Sequence, residues 1–235
     1  MANTQIRQSV LAIVNEVQRR LGVNLTASVA SSRHSLTLLR LLNDVIDDLA
    51  DAGDWQELYQ EVTVTAQSSV SRYLVEASGG GLVRSINEVA FDVDVAPLVP
   101  RSPDEMRRLL RQSSFGRPRH FAVIGVDASS ANPVMSVSPI PAANEAGDLF
   151  NITIFTKPNL LTTSDDATVP VFPANLLIQG LYAKALLDEN GGEQSQEFAT
   201  AFAEFQRMKR EALNRFNSDT GQDLILIPSD RMRTY

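Results

Sequence analysis

The sequence predicts an α+β fold: a helical bundle built from the N- and C-terminal helices, an inserted antiparallel β-rich lobe, and an extended C-terminal tail. Three observations predict it. Two stretches near the start and two near the end repeat apolar residues at helical spacing. The middle of the chain instead alternates with period two, the mark of half-buried strands. Beyond residue 216 the helical period stops and a short β-prone run follows. The expected divisions are 1–60 with 172–216 for the bundle, 61–171 for the lobe and 217–235 for the tail.

The first helix is expected to be capped by Asn3 or Thr4 and ended by Gly22. Its apolar positions are Ile6, Val10, Val14, Val17 and Leu21, with Leu11 and Ile13 beside them. Arg7, Asn15, Gln18 and Arg19 make the wet face. Asn24–Ser32 is a polar connection. A second helix runs from Ser32 or Ser35 to about Ala52, with Leu38, Leu39, Leu42, Val45, Ile46 and Leu49 inward. Its other face is acidic: Asp44, Asp47, Asp48 and Asp51. Trp55, the single tryptophan, follows the helix end and reads as a core anchor.

Strands are expected over Glu61–Ala66, Ser71–Ala77 and Leu82–Phe91, with Gly79-Gly80-Gly81 as a hairpin tip or loop. No Lys-Ser/Thr and no helix follow these glycines, so they are not a phosphate loop. Ser102, Pro103 and Glu105 fit an N-cap, a first-turn proline and a capping-box acid. They start a short helix, Pro103–Gln112, with Met106, Leu109 and Leu110 inward. Around it lies the one basic cluster: Arg101, Arg107, Arg108, Arg111, Arg117 and Arg119.

Phe121–Val126, Val134–Ile140 and Phe150–Thr156 are expected to form one antiparallel sheet. Asn159–Pro170 is loop-like. Ala174–Glu189, opened by Pro173, is apolar nearly all round and should be buried, with Gly180 marking close helix packing. Asn190-Gly191-Gly192 breaks it from a second helix, Glu193–Phe216, whose stripe is Phe198, Ala201, Phe202, Phe205, Met208, Ala212 and Phe216. The two form an αα-hairpin. In the tail, Leu224-Ile225-Leu226-Ile227 must pair with some sheet, this chain's own or a partner's.

Composition narrows the chemistry. The 235 residues carry a net charge of −7, which argues against a general nucleic-acid binder. There is no cysteine, hence no disulfide frame, thiolate metal site or thiol nucleophile. Met1–Val10 has no signal-peptide pattern and no apolar run is long enough for a membrane span. The expectation is a soluble protein folded in a cytoplasm. His34 and His120 are isolated, and no nucleophile elbow, Walker motif or paired-histidine spacing occurs. Neither a catalytic residue nor a cofactor is expected. The aspartates of the second helix read as a solvated or intersubunit face rather than a cation site. The arginine cluster reads as a solvated face or one that meets an acidic protein partner.

The order and spacing of four segments resemble a known family. They are LLNDVIDDLADAGDWQELYQEVTVTA; SPDEMRRLLRQ leading to GRPRHFAVIG; VSPIPAANEAGDLFNITIFTKP; and VFPANLLIQGLYAKALLDENGGEQSQEFATAFAEFQRMKREAL. Together they resemble the head-to-tail adaptor (connector) proteins of tailed bacteriophages, which sit as a ring below the portal. The resemblance implies a virion protein in a homo-oligomeric ring, commonly of twelve copies. It implies partners in the portal and in tail or nozzle proteins, with DNA passing through the channel without sequence-specific binding. It makes Leu224, Ile225, Leu226, Ile227, Arg231, Arg233 and Tyr235 portal-contact candidates. It makes Arg107, Arg108 and Arg111 candidates for a subunit interface answered by Asp44, Asp47, Asp48 and Asp51. Two other readings stand beside it: a stopper or tail-completion protein of the same neck, and a hydrolase or carbohydrate-binding module using the β lobe.

Overall fold

The computed structural model describes the backbone of residues 7–92, 96–112 and 114–219, with side chains through Asn214. These residues form an α+β structure, as the sequence predicts. They divide into two compact units. One combines the chain up to Val45 with the chain from Thr163 onward; the other is Ile46–Thr162.

In the first unit, helix α1 (Val10–Arg20) starts later than its periodicity suggests. Ser9 caps it, its hydroxyl accepting from the Ala12 N–H. Asn3, Thr4 and Ile6 lie outside the described residues. The N–H groups of Val10 and Leu11 donate to the carbonyls of Thr168 (2.9 Å) and Asp166 (3.1 Å). The loop-like Asn159–Pro170 segment therefore closes this helix end, where free N–H groups need acceptors. The Asp166 carboxylate also accepts from the Val29 N–H at 2.8 Å. Gln18, expected on the wet face, is buried. Its amide oxygen accepts from the Thr26 hydroxyl, and a hydrogen-bonded amide can be buried where a bare one cannot.

Helix α2 (Arg33–Ala50) begins with two serines that cap each other. Ser32 Oγ accepts from the Ser35 N–H (3.0 Å) and Ser35 Oγ from the Ser32 N–H (3.2 Å). Helices α4 (Ala174–Glu189) and α5 (Gln196–Asp219) form the expected αα-hairpin. Its turn uses left-handed backbone at Gly191 and Gly192 (φ 63° and 90°). Gly180 sits where a Cβ would lie 2.8 Å from Phe205 and 2.8 Å from Val45, so close packing requires it. One expectation on α5 fails. Phe202 is 42% exposed, outside the stripe made by Phe198, Ala201 and Phe205, and stacks on Phe198 instead. A stripe repeated at three and four residues covers more arc than one neighbouring helix can bury.

The second unit holds strands β1 (Tyr59–Thr65), β2 (Arg72–Leu74), β3 (Leu82–Phe91), β4 (Val99–Pro100), β5 (His120–Val126), β6 (Pro133–Ser138) and β7 (Leu149–Lys157). They make two sheets rather than one. The first has the order β1-β7-β3 and is antiparallel; the second has the order β2-β6-β5-β4, with β4 parallel to β5. The expected continuous sheet through β5, β6 and β7 is broken because Pro139 and Pro141 follow β6. Neither can donate to a ladder, so β7 starts afresh in the other sheet. The Gly79–Gly81 turn likewise passes from one sheet to the other and closes no hairpin.

The sheets share one core. Phe150 of β7 packs its ring 4.8 Å from Phe91 and 4.9 Å from Tyr73, with Ile152 and Ile154 on one side and Phe121, Met135 and Val137 on the other. By alternation, the paired Ala122 and Ser136 face away from that core. There α3 (Pro103–Arg111) covers β5 and β6 and buries Met106 completely. Trp55 anchors the end of α2 as expected: it is buried, and its Nε1 donates to the Leu49 carbonyl at 2.6 Å. Arg84 of β3 also ties this end, donating to the carbonyls of Ala50 and Gly53 and pairing with Asp54.

Candidate functional site

The chemistry-bearing surface of the second unit is built around α3. Its start is fixed by the predicted capping box. Ser102 Oγ accepts from the Glu105 N–H at 3.3 Å, and the Glu105 carboxylate accepts from the Ser102 N–H at 3.1 Å. That backbone N–H bond holds the Glu105 carboxyl below its ordinary pKa. The capped helix then presents Arg107, Arg108 and Arg111 to solvent. Arg107 pairs with Asp104 at 3.0 Å within its own turn. Arg108 and Arg111, in the last turn, make no ion pair among the described residues.

Strand pairing brings two more arginines to the same edge. The Val99 N–H donates to the Arg119 carbonyl and the Arg101 N–H to the Phe121 carbonyl, both at 2.8 Å. Arg101 and Arg119 are exposed and also lack an ion pair among the described residues. Arg117 is different: it pairs with Asp92 at 3.6 Å and lies over the Phe91 ring. In the same unit Val99 (47% exposed) and Phe115 (60% exposed) are also open to solvent.

The acidic face of α2 is not uniform. Asp47 is half-buried and pairs with Lys157 at 3.2 Å. Asp44, Asp48 and Asp51 are exposed, and Asp44 and Asp51 make no ion pair among the described residues. Among the described residues, no ion pair joins Asp44, Asp47 or Asp51 to Arg107, Arg108 or Arg111. Among the described residues, no group of three or more His, Asp or Glu side chains has the geometry to hold a metal ion. Asp92 is taken up by Arg117. Leu224, Ile225, Leu226, Ile227, Arg231, Arg233 and Tyr235 also lie outside them. No helix among the described residues is long and apolar enough to cross a membrane.

Two features escaped sequence reasoning. Val99 and Phe115 sit in segments without periodicity, so nothing marked them as exposed. The outer edge of β1 has no strand partner among the described residues, although its freedom from Lys and Pro was readable in residues 59–65. No curated protein matches the chain significantly. The family model described as SU10 adaptor protein matches residues 8–225, which spans both units and every element from α1 to α5. The chain therefore belongs to the SU10 adaptor protein family and is a structural adaptor-type protein of a bacteriophage particle.

Proposed function

We propose that the protein forms a ring below the portal of a tailed phage, twelve copies in number, extends the DNA channel and offers a platform to tail or nozzle proteins. The family match over residues 8–225 carries this reading. The distribution of charge supports it. Rings are made by heterologous contacts, in which one patch of a subunit meets a different patch of the next. Arg108 and Arg111 on α3 and Asp44 and Asp51 on α2 are exposed, opposite in sign and unpaired within the described chain. They are the proposed pair of patches, with Asp48 beside them; Arg107 and Asp47 are held by partners in their own chain. The net charge of −7 suits a channel along which DNA slides without sticking. Arg231, Arg233 and Tyr235 supply the portal contact.

The test is mass, by native mass spectrometry or light scattering, of the protein with the portal of the same virus. A stoichiometric ring on the portal is expected, and a chain truncated after Pro228 should lose portal capture. A protein that ignores the portal at every concentration would overturn the reading.

A further inference from the structure

Strand β1 is an open edge of a kind that folded proteins usually blunt. It pairs with β7 over seven residues, Tyr59 to Thr65, without a register shift. The Ala66 N–H donates to the Asp148 carbonyl, and Leu149, opposite Thr65, turns its carbonyl to the other neighbour, accepting from the Asp92 N–H. Alternation along an antiparallel ladder then points the backbone N–H and C=O groups of Tyr59, Glu61, Thr63 and Thr65 away from β7. Among the described residues the Tyr59 N–H is taken by the Gln56 carbonyl, while no hydrogen bond uses the outward groups of Glu61, Thr63 and Thr65.

The other edges are protected. β3 carries two register shifts against β7. β2 is three residues long, and β4 is two residues long and contains Pro100. β1 has none of these devices: residues 56–71 contain no Lys, Arg or Pro, and Glu57 and Glu61 stand exposed beside the edge. The occupant is a segment the chain itself supplies. Sixteen residues follow Asp219, the last residue of α5, and they include Leu224-Ile225-Leu226-Ile227, a run with both faces apolar.

We infer that Leu224–Ile227 of one copy adds as a strand to the β1 edge of the next copy. This rests on the ring reading and deepens it: donor and acceptor lie on different parts of the same chain, so each copy gives one strand and takes one. The residues after Pro228 remain available for a portal.

The test needs no portal, so it separates this inference from the function proposed above. One variant lacks residues 220–235 and keeps an open edge without a donor. The other, Thr63→Pro, keeps its donor but loses an outward N–H, with no ladder bond to β7 removed. Where proline does not fold, Thr63→Lys blocks the edge with its backbone intact. Each variant alone should be monomeric by light scattering, and their mixture should give a 1:1 heterodimer. In that mixture, exchange at the Glu61, Thr63 and Thr65 amides of the tail-less copy should slow by about tenfold or more. Adding Leu226→Asp to the donor should abolish both effects. A mixture that stays monomeric overturns the inference, as does a tail-less protein that self-associates like the full chain. So does a full-chain monomer whose three amides are already protected, which would mean the tail folds on its own edge.

Discussion

At the scale of single residues, two side chains repay measurement. Asp127 accepts from the hydroxyls and backbone N–H groups of Ser129 and Ser130, and these donors, Ser129 Oγ foremost, lower its pKa to about 2. A carboxylate with a depressed folded pKa adds stability that is present above its unfolded value and is lost as pH falls through the folded one. The turn at 127–131 should therefore stay intact to about pH 2, and a carboxyl carbon NMR titration of Asp127 should find its midpoint there. A midpoint near the ordinary 3.8 would contradict the network. Tyr73 is the second. Its hydroxyl donates to the Val70 carbonyl at 2.9 Å and accepts from the Gln67 N–H at 3.2 Å, while burial pushes its pKa up. Tyr73→Phe keeps the ring against Phe150 but strands these backbone groups. It should cost about 1–2 kcal/mol in urea unfolding. Neither network was legible in the sequence, because both depend on where a turn puts its donors.

At the scale of elements, the helices followed their sequence signals closely. The capping box at Ser102 and Glu105 formed as its residue types require, and the apolar circumference of α4 is buried. Gly180 is the sharpest case, since a glycine inside a helix needs a reason that outweighs its propensity penalty. The reason is contact with Phe205 and Val45, where a methyl group has no room. Gly180→Ala gains about 1 kcal/mol of helix propensity and loses about 1–3 to overpacking. A net loss of stability is expected in thermal or denaturant unfolding. Phe205→Leu should remove part of the clash, so the double variant should be more stable than the two single losses sum to. What the period could not show was the start of α1 or the burial of Gln18. Both were decided by partners eight or more residues away, Thr26 for Gln18 and Thr168 and Asp166 for the helix end.

At the scale of the whole molecule, charge decides what can be predicted. Reversing Arg108 and Arg111 to Glu should weaken self-association by about tenfold or more, equivalent to about 1.4 kcal/mol. Mixing that variant with an Asp44→Arg, Asp51→Arg chain should restore it in part. Raising salt should weaken the wild-type contact, because exposed charges are screened. Equal dissociation constants for wild type and the Arg-to-Glu variant would remove these patches from the interface. The sequence by itself determined the α+β class, the helices and their caps, the strands by their alternation, and the order of segments that marks the adaptor family. Those signals are local: they span one turn, one period or one capping motif. Only the tertiary structure decided that the strands form two sheets, that Gly79–Gly81 crosses between them, that Arg107 and Asp47 are spent on partners in their own chain, and that β1 is an edge strand among the described residues. Strand partners and ion pairs join residues far apart in the chain, and no local pattern of apolar and polar side chains encodes which of several possible neighbours each strand or charge will meet.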